Sequence, residues 1–247
     1  MPRTRKATLG ALGAAALCAT ALVGTAGAAP AQDDNGVADQ SAADIAAQAR
    51  DAFAGARSMH LTMETQGSGL ESDDPTRLDL SADRSENCVG TVDYAAGGGS
   101  LELIRHGNDV WVKPDAAWLE TNLPSGRSED VQRLAGNYLQ GTVQDRGLGD
   151  IAELCGIDEL DDAVEDATTA DNLQKGAETT VNGTPVIEVT GQHDGADVTV
   201  SVATRGTPYP VQATSRGDGE ETTANFAFDQ PVPNRTPAPG DTVPWGG

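Results

Sequence analysis

The feature that most limits what this chain can fold into is a two-residue alternation of apolar and polar side chains, recurring in two separated blocks. In the first block Met59, Leu61 and Met63 alternate with His60, Thr62 and Glu64, and Leu78, Leu80 and Ala82 alternate with Arg77, Asp79 and Ser81. Side chains two apart share one face of a strand, so each run predicts a strand buried on one side only. Further strands are predicted over residues 88–94, 101–104 and 110–112, with turns at Gly97-Gly98-Gly99 and His106-Gly107-Asn108-Asp109. Short turns between such strands make an antiparallel meander. The second block starts near Glu178. Asn182-Gly183, the strongest hairpin signal in the chain, joins residues 179–181 to 186–190, and strands at 198–202, 211–214 and 222–228 follow.

Helical periodicity precedes the first block and separates it from the second. Ser41 offers an N-cap with Asp44 three residues on, and Ile45, Ala49, Ala52, Phe53 and Ala56 follow at helical spacing up to about Gly55. The apolar stripe is narrow and made largely of alanine, which suits close approach to a sheet. Between the blocks, Ser128 precedes Val131, Leu134, Ala135, Tyr138 and Leu139 at helical spacing, with Glu129 and Asp130 in the first turn where the helix dipole favours them. Shorter helical pieces are expected at residues 151–155 and 158–164, giving a helical insertion over about 126–166. A single sheet of about ten twisted strands curls. The expected fold class is therefore α+β, a curved antiparallel sheet of about ten strands with helices packed on its concave face.

The chain ends carry separate signals. Arg3, Arg5 and Lys6 precede an uncharged run rich in Ala, Leu, Gly and Val, and small residues at Ala26-Gly27-Ala28 and Ala29-Pro30-Ala31 fit a processing site. Residues 1–31 thus read as a signal peptide cut after Ala31. A retained anchor is the competing reading, although glycine and threonine dilute the run and no basic stop-transfer segment follows. Cys18 offers a third, lipid attachment, for which Leu17 just before it is larger than such a site prefers. Residues 32–40 are polar and expected to be a disordered linker, 41–230 a single domain, and 231–247 a proline-rich tail, either an extended strap or disordered.

The formal net charge of −22 makes nucleic acid and anionic lipid surfaces poor partners for the surface as a whole. Past the signal only Cys88 and Cys155 remain. In an oxidising compartment they are expected to form a disulfide, the alternative being two buried thiols. His60, His106 and His193 have no partner at metal-ligand spacing, Ser100 leads into a strand and lacks the geometry of an activated nucleophile, and no phosphate-binding glycine loop occurs. The acidic run Asp158, Glu159, Asp161, Asp162, Glu165 and Asp166 lacks the alternating oxygen ligands and central glycine of a calcium loop. No catalytic residue, metal or cofactor is therefore expected.

The element order resembles the LolA-like half-barrel superfamily, and within it the actinobacterial LppX/LprG-type lipoprotein branch. The resemblance rests on residues 44–61, where a helix ends in Ala56-Arg57-Ser58 before the first strand, on Gly107-Asn108-Asp109-Val110-Trp111-Val112-Lys113, on Val181-Asn182-Gly183-Thr184-Pro185-Val186, and on Thr204-Arg205-Gly206-Thr207-Pro208-Tyr209-Pro210. It implies a half-barrel holding acyl chains between sheet and helices, and a non-enzymatic binder or carrier of a lipid or glycolipid, secreted or on the outer face of the cytoplasmic membrane. With an aromatic content of only 4%, an apolar cavity here must be lined mainly by Leu, Val, Met and Ala. The expected ligand-lining residues are Leu101, Leu103, Val110 and Val112 from the sheet, with Leu134, Tyr138 and Leu139 from the inserted helix. The same residues would serve a closed core, so an acidic cell-envelope interaction module is the alternative. The chain is read as a monomer, associated with a membrane only if Cys18 carries lipid.

Overall fold

The two alternating blocks become two antiparallel meanders that share one sheet. The computed structural model describes residues 33–123, 128–157, 171–233 and 235–245. The first meander runs β1 (Ser58–Gly67), β2 (Pro75–Asp83), β3 (Asn87–Tyr94), β4 (Ser100–His106) and β5 (Asp109–Pro114), extended by β6 (Tyr138–Thr142). The second runs β7 (Asp171–Val181), β8 (Thr184–His193), β9 (Ala196–Ala203), β10 (Pro210–Gly217) and β11 (Glu220–Phe228). Strand β11 returns to pair antiparallel with β1, from Met59 opposite Phe228 to Gly67 opposite Glu220. A last short strand, β12 (Thr242–Pro244), lies parallel to β6, so the order is β12-β6-β5-β4-β3-β2-β1-β11-β10-β9-β8-β7. Among the described residues the result is a curved, unclosed half-barrel of twelve strands, two more than expected, and mixed rather than wholly antiparallel.

Register explains which side is buried. Directly paired residues face the same way, and one unbroken chain of pairs links Val243, Leu139, Val112, Leu103, Gly90, Leu80, Leu61 and Phe226 across eight strands. This inner face carries helices. Helix α1 (Ala42–Gly55) starts where Ser41 Oγ accepts the Asp44 N–H at 3.2 Å. It lays Ile45 and Ala49 on Ile187, Val189, Val200 and Val202 of β8 and β9. Helices α2 (Ala116–Asn122), α3 (Ser128–Leu134) and α4 (Leu148–Glu153) cover the other flank, burying Trp118, Leu119, Val131, Leu148 and Ile151 against β3 to β5. Cys88 of β3 and Cys155, just after α4, form a disulfide with their Cα atoms 5.7 Å apart.

The structure departs from the sequence reading in three places. The helix expected to reach Leu139 stops at Leu134, because Gly136 takes a left-handed φ of 76° and the chain turns to pair with β5. Tyr138 and Leu139 are therefore neighbours on a strand and point to opposite faces. Helix α2 was not foreseen; Asp115 caps it by accepting the Trp118 N–H at 2.8 Å. Residues 33–40 are not a disordered linker: Asn35 Nδ2 donates to the carbonyls of Ala203 and Gly206, and Val37 is buried among Ile45, Ile187 and Val202. Of the two readings of the tail, the described residues 231–233 and 235–245 bear out the extended strap, which includes β12 and has Trp245 donating from Nε1 to the Arg146 carbonyl. The helical piece expected at 158–164 and the acidic run from Asp158 to Asp166 lie outside the described residues.

Candidate functional site

The sheet's inner face is not covered evenly. Helix α1 lies over the β7–β10 flank, and α2 to α4 lie over the flank formed by β3 to β6. Between the two groups run β11, β1 and β2, where Met59, Leu61, Leu78, Leu80 and Ala82 are buried but Met63 of β1 and Ala224, Phe226 and Phe228 of β11 are only half-buried. Met63, Ala224 and Phe226 rise from these strands, Tyr94 stands at the end of β3, and Leu123 and Leu134 approach from α2 and α3. Together they make an apolar seam down the middle of the half-barrel. Phe53, at the end of α1, closes one side of it edge-on to Phe226 and Phe228, with ring centroids 6.1 and 5.6 Å away. All three phenylalanines of the chain thus meet in one cluster.

The residues expected to line a ligand site divide three ways. Leu101 and Leu103 on β4, Val110 and Val112 on β5 and Leu139 on β6 share the inner face but are at most 2% exposed, sealed beneath the helices. Leu134, on α3, is half-buried and belongs to the seam. Tyr138 is on the outer face, where its hydroxyl donates to Glu102 Oε2 at 2.7 Å and the Lys113 ammonium sits 5.4 Å over its ring. The pattern missed Met63, Ala224 and Phe226. Their alternation was legible, but no local pattern says which of several equally apolar strands two helix groups will leave uncovered.

The seam is uncharged along these side chains. Its polar handle is Tyr94, whose hydroxyl is pushed above its ordinary range by burial, a shift opposed by its hydrogen bond with Trp118. Arg105 is the inner-face cation of the β4 flank, and it is only 14% exposed there. Its Nε donates to the Gly107 carbonyl and its guanidinium pairs with Glu86 at 2.9 Å, which places its charge at the rim.

The outer face is covered by the strap. Val89, Ile104 and Trp111 form a small buried cluster with Val232 laid across it. A cleft of about 410 Å³ opens beside them, with Asp79, Glu102 and Tyr138 on the sheet side and Pro233, Arg235 and Pro237 on the strap side. Burial pushes Tyr138 upward, and the bond it donates to Glu102 carries it further, to about 12. Burial also pushes Glu102 up, but hydrogen bonds from Tyr138 and Lys113 and the charges of Lys113 and Arg235 outweigh it and hold the carboxyl low. Among the described residues no group of three or more His, Cys, Asp or Glu is placed to hold a metal ion. No described helix is long and apolar enough to cross a membrane.

The architecture has known counterparts. The Mycobacterium tuberculosis lipoprotein LppX superposes with a TM-score of 0.52 over 78% of this chain and 97% of its own, at 16% identity. LprF from Mycobacterium bovis gives 0.57 over 80% of this chain and 97% of its own, at 13% identity. At these identities the likeness is one of fold. No protein-family model matches the sequence, and no curated protein sequence does.

Proposed function

We propose that this domain is an extracytoplasmic, non-enzymatic carrier that binds the acyl part of a lipid or glycolipid reversibly in the seam between α1 and the α2–α4 layer. The observation that carries the reading is the uneven cover of the inner face. An apolar sheet surface shared by eight strands is sealed on both flanks and left half-buried along β11, at Ala224, Phe226 and Phe228, and at Met63 of β1. A half-buried apolar surface with a tyrosine hydroxyl beside it suits a ligand that is mostly hydrocarbon. The signal-peptide pattern of residues 1–31 supports export, and the disulfide suits an oxidising compartment.

Hydrocarbon binding has a length dependence that other binding modes lack. Each buried methylene contributes about 0.8 kcal/mol, so two more carbons should tighten binding about tenfold until the seam is full. Competition between a fluorescent fatty acid and unlabelled fatty acids of increasing length measures this on the exported protein. The expected result is a stepwise gain with length, weakened at every length by Met63→Glu or Phe226→Asp. Affinity that ignores chain length, or no binding at any length, would leave the closed acidic module as the better reading.

A further inference from the structure

The inner face changes character along its strands, and it does so at one level. Read across β2, β1, β11 and β10, successive rows hold Ala82, Met59 and Phe228, then Leu80, Leu61 and Phe226, then Leu78, Met63, Ala224 and Ala213. The next row is Thr65, Thr222 and Ser215, paired in that order. Thr65 and Thr222 share a hydrogen bond between their Oγ1 atoms at 3.1 Å, which uses one of their two protons. Ser215 adds a further hydroxyl. Tyr94 lies toward the same end, two residues beyond Val92, which pairs with Leu78. Hydroxyls thus gather at one end of the seam and the phenylalanine cluster at the other. The outer face at the hydroxyl level is built differently: Glu64 pairs with Arg77 at 3.3 Å, and Arg216 with Glu221 at 2.6 Å. Such ion pairs suit a solvated strand end, so exposure alone does not account for uncharged hydroxyls on the inner side. The next inner row out is Gly67, Glu220 and Gly217. A Cβ at Gly67 would meet Glu220 Cγ, so the Glu220 side chain lies along the sheet one row from the hydroxyls.

We propose, resting on the lipid-carrier reading, that the row Thr65, Thr222 and Ser215 is the head-group subsite of the seam. It selects an acyl ligand whose head is uncharged and carries hydroxyl or ester oxygens, such as a monoacylglycerol, over a phosphate-headed lipid with the same chain. The hydrocarbon lies along Met63, Ala224 and Phe226 with its end at the phenylalanine cluster, and the head stops at the hydroxyls. Phe228 and Thr222 are six residues apart, about 20 Å of strand, which is the length of seam open to the chain. Hydroxyls both donate and accept, which matches a head that carries both kinds of group. A phosphate would bring its charge beside the Glu220 carboxylate, in two rows that hold no cation to pair with it. The formal net charge of −22 acts in the same direction.

Competition against a fluorescent fatty acid on the exported protein tests this, comparing a monoacylglycerol with the glycerol-phosphate ester of the same acyl chain at several chain lengths. The monoacylglycerol should bind at least about tenfold more tightly at each length. Thr65→Val with Thr222→Val keeps the shape of both side chains and removes both hydroxyls. It should weaken the monoacylglycerol about tenfold, the size of two net hydrogen bonds, and leave the gain per added carbon pair unchanged. Thr65→Ser with Thr222→Ser keeps the hydroxyls and should keep the wild-type preference; thermal melting by circular dichroism checks the fold of both variants. Equal affinity for the two heads, or a preference for the phosphate, with the length dependence intact would overturn the hydroxyl subsite and leave the carrier reading standing. An unchanged monoacylglycerol affinity in the valine variant would overturn the subsite as well. Binding of neither lipid at any length would overturn the carrier reading and this inference with it.

Discussion

Removing the disulfide should have a large and calculable effect. Cys88 and Cys155 are 1% and 5% exposed, and the bond closes a loop with a sequence separation of 67. Closing a loop of that length removes unfolded-chain entropy worth about 4 kcal/mol at room temperature, and the two lost sulfurs add roughly another 1 kcal/mol of packing. For a domain of this size a urea slope of about 2 kcal/mol per molar turns that into a midpoint about 2.5 M lower. The test is urea denaturation, followed by circular dichroism, of the wild type, of the reduced wild type, and of Cys88→Ala with Cys155→Ala. The reduced protein and the double variant should unfold together, well below the oxidised one. The bond also ties α4 to the sheet, so backbone amides of 148–155 should lose exchange protection before those of β8 and β9, which belong to the cluster under α1. A midpoint shift below about 0.5 M would refute the chain-entropy reasoning.

Three further outcomes are expected. Leu103 is fully buried at the centre of the inner face, so Leu103→Ala should cost about 3 kcal/mol in the same urea assay, where a cost under about 1 kcal/mol would mean a loosely filled core. Gly99 has a φ of 84°, and a Cβ there would meet the Trp118 backbone and the Asp115 carboxylate that caps α2. Gly99→Ala should therefore cost about 2 kcal/mol and loosen α2 in hydrogen exchange, and an unchanged protein would show that the turn can shift. All three tyrosines are raised above their ordinary value: Tyr94 by burial, Tyr138 to about 12 by burial and Glu102, and Tyr209 by burial and Asp229. A raised folded value contributes stability that is present below about pH 10 and lost as pH rises through the folded value, so phenolate absorbance should lag behind free tyrosine. Substantial phenolate in the folded protein at about pH 10 would contradict this.

The parts of the fold that could be read from the sequence are those with local causes. Alternation at Met59-Leu61-Met63 and Leu78-Leu80-Ala82 places β1 and β2, Asn182-Gly183 places the β7–β8 hairpin, and Ser41 with Asp44 places the start of α1. The hairpin works because both turn residues adopt positive φ, 49° and 83°. Where the reading failed, a local pattern had two solutions. Residues 131–139 carry apolar side chains at helical spacing, but Leu139 gains more by pairing opposite Val112, and Gly136 makes the break easy. Strand β12 has three residues and a parallel partner far away in sequence, so nothing local announces it. The Trp111 environment is similar: alternation places it on the opposite side of β5 from Val110 and Val112 but does not say what covers it, which is Val232 of the strap. The seam was the least legible feature, since it is defined by where helices are missing over an otherwise uniform apolar face.

Native mass spectrometry of the exported protein, purified from its own host before and after extraction with denaturing solvent, tests the proposed function most directly. Lipid binding in the seam predicts a co-purifying lipid-sized mass that extraction removes and that Phe226→Asp fails to retain. A clean polypeptide mass, less two hydrogens for the disulfide, with no bound species at any protein concentration would contradict it.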